Sequence, residues 1–164
     1  MLVEGLDGDE AVLDRIAVRD ALLQGGSLAN ARALRSEWRR VRFENGRLTG
    51  LQLGEAKLVD VTFEGARLDF ASFRLARLER VVFRDCRLEE ADFAGARLES
   101  VLFEQSPLTG ATLSFAALEA VELSGCDLEG ASGAETLRGA RMPLQDVLAS
   151  ATTLAGALGI QIVT

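Results

Sequence analysis

Phenylalanine returns at a fixed interval of 20 residues along the middle of this chain, and a valine stands two positions before each one. The four phenylalanines are Phe43, Phe63, Phe83 and Phe103. A fixed repeat of this length is typical of a solenoid, in which each repeat forms one coil and buries its apolar side chains against its neighbours. The interval therefore predicts a stack of similar coils.

A shorter unit of five residues lies inside this repeat. A large apolar residue occupies every fifth position from Leu48 to Leu128 without an insertion, and a small residue, most often alanine, usually stands two positions before it. A period of five fits neither the 3.6 residues of a helical turn nor the two-residue alternation of a strand. A chain that turns a corner every five residues directs both positions inward, so each coil has four sides. Successive coils then stack at the strand spacing of about 4.8 Å.

Units such as Ala91-Asp92-Phe93 and Cys126-Asp127-Leu128 resemble those of the pentapeptide-repeat family, whose unit reads roughly Ala-Asp/Asn-Leu-x-x. The resemblance covers nearly all of residues 6–142 and implies an all-β fold, a right-handed quadrilateral parallel β-helix. One branch of that family resembles duplex DNA, binds type II topoisomerases such as DNA gyrase and protects them from quinolones. The resemblance thus implies a DNA mimic with DNA gyrase as its protein partner, although the repeat alone does not confer that function.

The period changes near the end of the chain. Nine residues separate Leu128 from Leu137, where ten are expected, so we expect a distorted last coil or a small loop. Pro143 then opens a helical three-four spacing, which predicts a solenoid over 1–142 and a C-terminal α-helix and tail over 143–164. The apolar residues of this helix are Leu144, Val147, Leu148, Ala151, Leu154 and Leu158. The helix either caps its own last coil or forms a homodimer, and the resemblance favours the homodimer.

The composition argues against catalysis. The chain has no histidine and no tyrosine, and it has no phosphate-binding glycine motif or metal-ligand spacing, so we expect no enzyme activity, cofactor or metal. A net charge of −7 disfavours direct nucleic-acid binding, and no apolar run is long enough to span a membrane. Cys86 and Cys126 fall on the inward position of one side, two coils apart. That separation exceeds disulfide reach, so we expect buried reduced thiols in a cytoplasmic protein.

The outward positions supply the candidates for partner binding. The side that holds the phenylalanine ladder is the most negative, with outward Glu44, Glu64, Asp85, Glu104 and Glu122. Leu75 and Phe115 are outward apolar residues on another side. Elsewhere Lys57, Arg77 and Arg97 form a column beside Glu79, Glu99 and Glu119, and Arg47, Arg67 and Arg87 lie beside Asp69 and Glu89, which predicts mutual ion-pair lattices. Two functions remain open: an acidic rod that modulates a topoisomerase, or a protein-binding scaffold unrelated to DNA enzymes.

Overall fold

The computed structural model describes all 164 residues and folds as a parallel β-solenoid with a short helical C-terminus. Strands in neighbouring coils pair in parallel with a register of 20 residues, as in Phe43 with Phe63 and Phe63 with Phe83. The strands are β1 Leu2–Glu4, β2 Ala17–Gln24, β3 Glu37–Glu44, β4 Lys57–Glu64, β5 Arg77–Arg84, β6 Arg97–Glu99, β7 Leu102–Glu104, β8 Ala117–Glu119 and β9 Glu122–Ser124. The register confirms the predicted 20-residue coil.

Each coil has four sides, which we number from the coil that begins at Lys57. Strand β4 bends at Asp60 and supplies side I (residues 57–59) and side II (residues 62–64). Single bridges form side III, in the column Arg47, Arg67, Arg87, and side IV, in the column Gln52, Ser72, Asp92. The predicted four-sided parallel β-helix is therefore confirmed.

A tight turn with a left-handed residue makes the corners next to side IV. Ala71 donates its backbone N–H to the carbonyl of Leu68 at 2.9 Å, and Phe70 between them has φ of 59°. This combination closes a four-residue turn that requires positive φ at its third residue. A left-handed residue recurs at nearly every fifth position, so many corners hold a non-glycine residue in a conformation that glycine adopts most cheaply.

The core fills the lumen of the coils with two aromatic stacks. On side II the rings of Phe43, Phe63, Phe83 and Phe103 lie 4.8 to 5.1 Å apart and nearly parallel. On side IV Phe73 stacks on Phe93 at 4.9 Å. The two stacks meet edge to face, with Phe83 lying 5.6 Å from Phe73 and 6.0 Å from Phe93. Coil spacing thus sets the ring spacing, which lies in the favourable range for aromatic pairs.

The last coil is one residue shorter than the others, as the spacing of Leu128 and Leu137 predicts. Arg141 bridges to Glu122, a register of 19, after a 3₁₀ turn at Ala134–Leu137. The predicted C-terminal helical segment is confirmed, and it is divided into two short helices: α1 Leu144–Ala149 and α2 Ala151–Ala157. Buried Ser150 separates them at φ −99° and ψ 10°, outside the helical region. The tail after Leu158 forms no strand, and no helix is long and apolar enough to cross a lipid bilayer.

Candidate interaction surfaces

The predicted acidic residues of side II face outward but are mostly ion-paired. Arg42 bonds to Glu44 at 2.7 Å and also contacts Glu64. Arg84 bonds to Glu104 at 2.6 Å, and Arg141 bonds to Glu122 at 2.7 Å. Asp85 alone of the five candidates has no ion pair, and it is exposed at the corner. The arginines therefore offset much of the negative charge that the sequence places on this side.

Glu44 illustrates how these contacts act on a carboxylate. Gln24 donates a hydrogen bond from its side-chain amide at 2.9 Å, and Arg42 donates a second one. Both favour the ionised form, so they lower the pKa of Glu44 below its ordinary value, with the Gln24 bond as the larger cause. The glutamate is held in place by Gln24 of the neighbouring coil and by Arg42 of its own strand, and it stays charged at neutral pH.

The predicted ion-pair lattices of sides I and III are wrong. The columns themselves form as expected, since Lys57, Arg77 and Arg97 stand in register and Glu79, Glu99 and Glu119 follow beside them. None of the three bases lies within ion-pair distance of a carboxylate, however, and Glu79 contacts corner residue Arg80 instead. The two columns line a shallow groove of about 360 Å³ on side I.

Side III also departs from the prediction, although Arg47 lies 3.8 Å from Asp9, two coils away. Arg67 and Arg87 form no ion pair, and Asp69 accepts a hydrogen bond from Thr49 at 2.9 Å. One carboxylate oxygen of Glu89 is buried without a hydrogen-bond partner, a feature that no sequence pattern indicated. Ion pairs across the molecule join neighbouring coils instead, as Arg40 with Asp20 at 2.5 Å and Arg35 with Glu55 at 3.2 Å. Exposed pairs of this kind contribute about 0–1 kcal/mol each.

Large apolar residues are exposed at the two corners that flank side IV. Phe70 occupies one corner and is 64% exposed, whereas Leu75 and Phe115 occupy the other and are 57% and 91% exposed. All three have positive φ, between 59° and 62°. The structure thus brings the two predicted apolar candidates, Leu75 and Phe115, onto one corner two coils apart, with Gly95 between them. Phe70 lies across side IV from them, at the opposite corner.

Side IV itself carries little charge over the coils between these corners. Its outward side chains are small or neutral, apart from Arg74 and Asp92, which pair with each other at 3.5 Å. The outward residues are Gln52, Gly54, Ser72, Ala94, Thr112 and Ser114. Ala94 is almost fully buried although it points outward. Side IV therefore differs from the other three sides, each of which carries columns of charged residues.

The C-terminal helices divide the predicted interface residues between two environments. Leu154 and Ala157 pack against the core, so α2 covers part of the last coil. Leu144, Leu148 and Leu158 are about two-thirds or more exposed, and Val147 and Ala151 are also exposed. Asp146 fixes α1 to the solenoid, because its carboxylate accepts a hydrogen bond from the backbone N–H of Gly125 at 2.7 Å. The helices both cap the coil and leave an apolar face in solvent.

Both cysteines lie in the interior. Cys86 and Cys126 are free and buried, as predicted, and each thiol donates to a carbonyl of the preceding coil. Desolvation by burial raises the pKa of Cys86 to about 11, and it also raises the pKa of Cys126. No three His, Cys, Asp or Glu side chains come together as a metal-binding cluster.

One protein-family model matches this chain. The model described as "Pentapeptide repeat region" matches residues 36–113 and 56–132. HetL, a pentapeptide repeat protein involved in heterocyst differentiation regulation in Nostoc sp. strain PCC 7120, is 26% identical with a TM-score of 0.45 over 87% of this chain and 70% of its own. A thylakoid-lumen pentapeptide repeat protein of Arabidopsis thaliana is 27% identical with a TM-score of 0.43 over 50% of this chain and 61% of its own.

Full-length QnrB1, described as a plasmid-mediated fluoroquinolone resistance protein, is 16% identical with a TM-score of 0.39 over 98% of this chain and 99% of its own. No curated protein sequence matches the chain significantly. The family model alone spans more than half of the 164 residues, and its matched segments lie within the 20-residue coils of the β-solenoid. This chain belongs to the pentapeptide repeat family.

Proposed function

We propose that this chain is a non-catalytic, cytoplasmic protein-binding rod that acts as a homodimer. The observation that carries the proposal is the set of large apolar side chains at the corners of side IV, Phe70, Leu75 and Phe115. Equivalent corners in neighbouring coils hold glycine, as at Gly50, Gly95 and Gly110. The turn therefore forms without these side chains. Exposed apolar groups that the fold does not need are typical of a contact surface.

The homodimer is proposed to use the C-terminal helices. Their exposed apolar residues Leu144, Leu148 and Leu158 are available to a second copy, while Leu154 holds α2 against its own coil. Sedimentation equilibrium tests this: we expect a reversible dimer that Leu148→Glu weakens. Gln145→Glu adds the same charge to an exposed position on the same helix and is the matched control. A monomer at all concentrations would remove the homodimer.

A second candidate is an acidic rod that acts on a type II topoisomerase, with DNA gyrase as the partner. Its support is the family membership, the fluoroquinolone resistance function of QnrB1, and the net charge of −7. The ion pairs of Glu44, Glu64 and Glu104 weigh against simple DNA mimicry, because they interrupt the negative potential of side II. This candidate therefore requires a partner that displaces Arg42 and Arg84 from those acids.

A purified gyrase supercoiling assay, with and without a quinolone, tests this candidate. Inhibition or protection that weakens with added salt would support it, because contacts between charged surfaces are screened. Reversal of Glu44, Glu64 and Glu104 to lysine should reduce the effect, whereas reversal of Glu79, Glu99 and Glu119 on side I should not. If gyrase shows no inhibition, no protection and no binding, the topoisomerase role is wrong and the general protein-binding rod remains.

A further inference from the structure

We propose that side IV forms the dimer contact together with the C-terminal helices, and that two copies pack side by side through it with their solenoids parallel. The inference rests on the proposed homodimer, and it adds a solenoid surface to the contact that the C-terminal helices make. A two-fold axis parallel to the solenoid brings side IV of one copy onto side IV of the other. In each coil, the corner that holds Phe70 then faces the corner that holds Leu75.

The apolar residues at the corners of side IV are unusual among the residues that have positive φ. Eighteen non-glycine residues have positive φ, and fourteen of them are polar or charged. The remaining four are Phe70, Leu75, Phe115 and Ala120. A large apolar side chain in this conformation costs the fold both backbone strain and apolar exposure. Three such residues flank one side, and that side is also the least charged, which indicates a surface that becomes buried.

The parallel arrangement pairs two exposed apolar corner residues with each other and matches the other large corner residues with glycines. Phe70 faces Leu75 of the second copy, so two exposed apolar residues cover each other. Phe115 faces Gly110 of the second copy and the Glu90 side chain that lies over it, and Glu90 faces Gly95 and the Leu75 side chain that lies over it. Each contact occurs twice, once on either side of the axis. No corner residue in these coils meets a like charge or a second bulky polar side chain.

The same matching extends across the flat part of side IV. Gln52 faces Gly54 of the second copy, and Asp92 faces Ala94. Arg74 faces Ser72 and comes close to Asp92 of the second copy, beside the Asp92 that it already contacts at 3.5 Å. An antiparallel dimer that places Leu75 on Phe115 would bring Glu90 of one copy onto Glu90 of the other, and Asp92 of one copy onto Asp92 of the other. The charges therefore favour the parallel arrangement.

The C-terminal helices add to this contact. Helix α2 packs on the 3₁₀ turn Ala134–Leu137, which follows side IV in the last coil. Parallel solenoids place both α2 helices at the same end, next to each other. From the strand spacing, side IV buries on the order of 400 Å² per copy, about half of a standard interface. Side IV and the helices together form the dimer contact, and we expect a reversible dimer.

Sedimentation equilibrium of the full chain tests the surface. Phe115→Glu places a carboxylate beside Glu90 of the second copy, since Glu90 covers Gly110. We expect the dimer dissociation constant to rise about tenfold or more, as for the loss of a central contact. Ala120→Glu adds the same charge at an exposed corner away from side IV, and it should leave the constant unchanged. Both positions are exposed, so both variants should fold.

Cross-linking tests whether the two solenoids are parallel or antiparallel. A mixture of Phe70→Cys and Leu75→Cys proteins, treated with a bismaleimide that spans about 10 Å, should form mixed dimers in the parallel arrangement. A mixture of Leu75→Cys and Phe115→Cys should form few. The reverse pattern overturns the parallel arrangement. If Phe115→Glu leaves the dimer intact while Leu148→Glu breaks it, side IV is not the contact and the helix dimer stands. A monomer at every concentration removes both.

Discussion

Replacing Phe83 with alanine is the sharpest perturbation of the core. Phe83 is completely buried and contacts four other rings. It stacks on Phe63 at 5.1 Å and Phe103 at 4.9 Å, and it meets Phe73 and Phe93 edge to face at 5.6 and 6.0 Å. Because the coils above and below are held by backbone hydrogen bonds, the lumen cannot close around the void. Phe83→Ala should therefore cost about 3–5 kcal/mol, toward the upper end of that range.

Two variants calibrate this value. Phe83→Leu should cost about 1–2 kcal/mol, because leucine already fills the same position at Leu23 and Leu123. Leu2→Ala removes an exposed side chain from side II of the first coil, away from side IV, and should change stability by less than about 0.5 kcal/mol. Urea denaturation followed by circular dichroism measures the free energy of unfolding of all three variants, which are compared using the same dependence of that free energy on urea concentration. A loss below about 1 kcal/mol for Phe83→Ala would show that the stacks do not stabilise the solenoid as described.

Three further predictions concern charge, thiols and close packing. Hydrogen bonds from arginines lower the pKa of Asp14, Asp20 and Asp60 below the ordinary 3.8, so the contribution of these carboxylates to folding stability is complete above that value and is lost as the pH falls through the lower folded pKa values. The melting temperature should therefore be constant from neutral pH to about 5 and fall below about pH 4. A constant melting temperature down to about pH 2 would contradict this. Cys86, whose pKa burial raises to about 11, and Cys126 should react with a thiol reagent only after denaturant unfolds the coils, and rapid labelling of the native protein would contradict their burial. Gly26→Ala should cost about 2 kcal/mol more than Gly5→Ala, because both have positive φ but only a Cβ at Gly26 meets the backbone of Leu6; equal losses in thermal melts would refute this.

The interior of this protein was predictable because one geometric rule repeats. A five-residue period leaves a single way to bury Leu48, Phe63, Phe73 and Leu128 together, and burial of large apolar groups is worth far more than any competing local preference. The shortened last coil was predictable for the same reason, since the spacing of Leu128 and Leu137 breaks the rule visibly.

The exposed ion pairs were not predictable in the same way. Arg77 and Arg97 stand beside glutamates but do not bind them, and Arg42 binds both Glu44 and Glu64. The free energies of alternative exposed ion pairs differ by less than about 1 kcal/mol. Residue spacing therefore sets the columns but not the pairing within them.

The C-terminal region depends on contacts that periodicity does not report. The apolar spacing from Leu144 to Leu158 predicts one helix, yet the chain must also follow the surface of the last coil. Asp146 binds Gly125 and Leu154 packs on the core, and the break at buried Ser150 separates the two helices that carry these contacts. The apolar face of the helices was therefore predictable, whereas the division at Ser150 was not.

Small-angle X-ray scattering of the full chain tests the proposed assembly most directly. From the coil spacing and the helices, one copy is about 45 Å long. Two parallel copies joined through side IV should scatter as a compact particle with a maximum dimension of about 60 Å, and Phe115→Glu should return it to the monomer. A particle of about 90 Å, unaffected by Phe115→Glu, would mean that the copies join end to end and would contradict the side-by-side dimer.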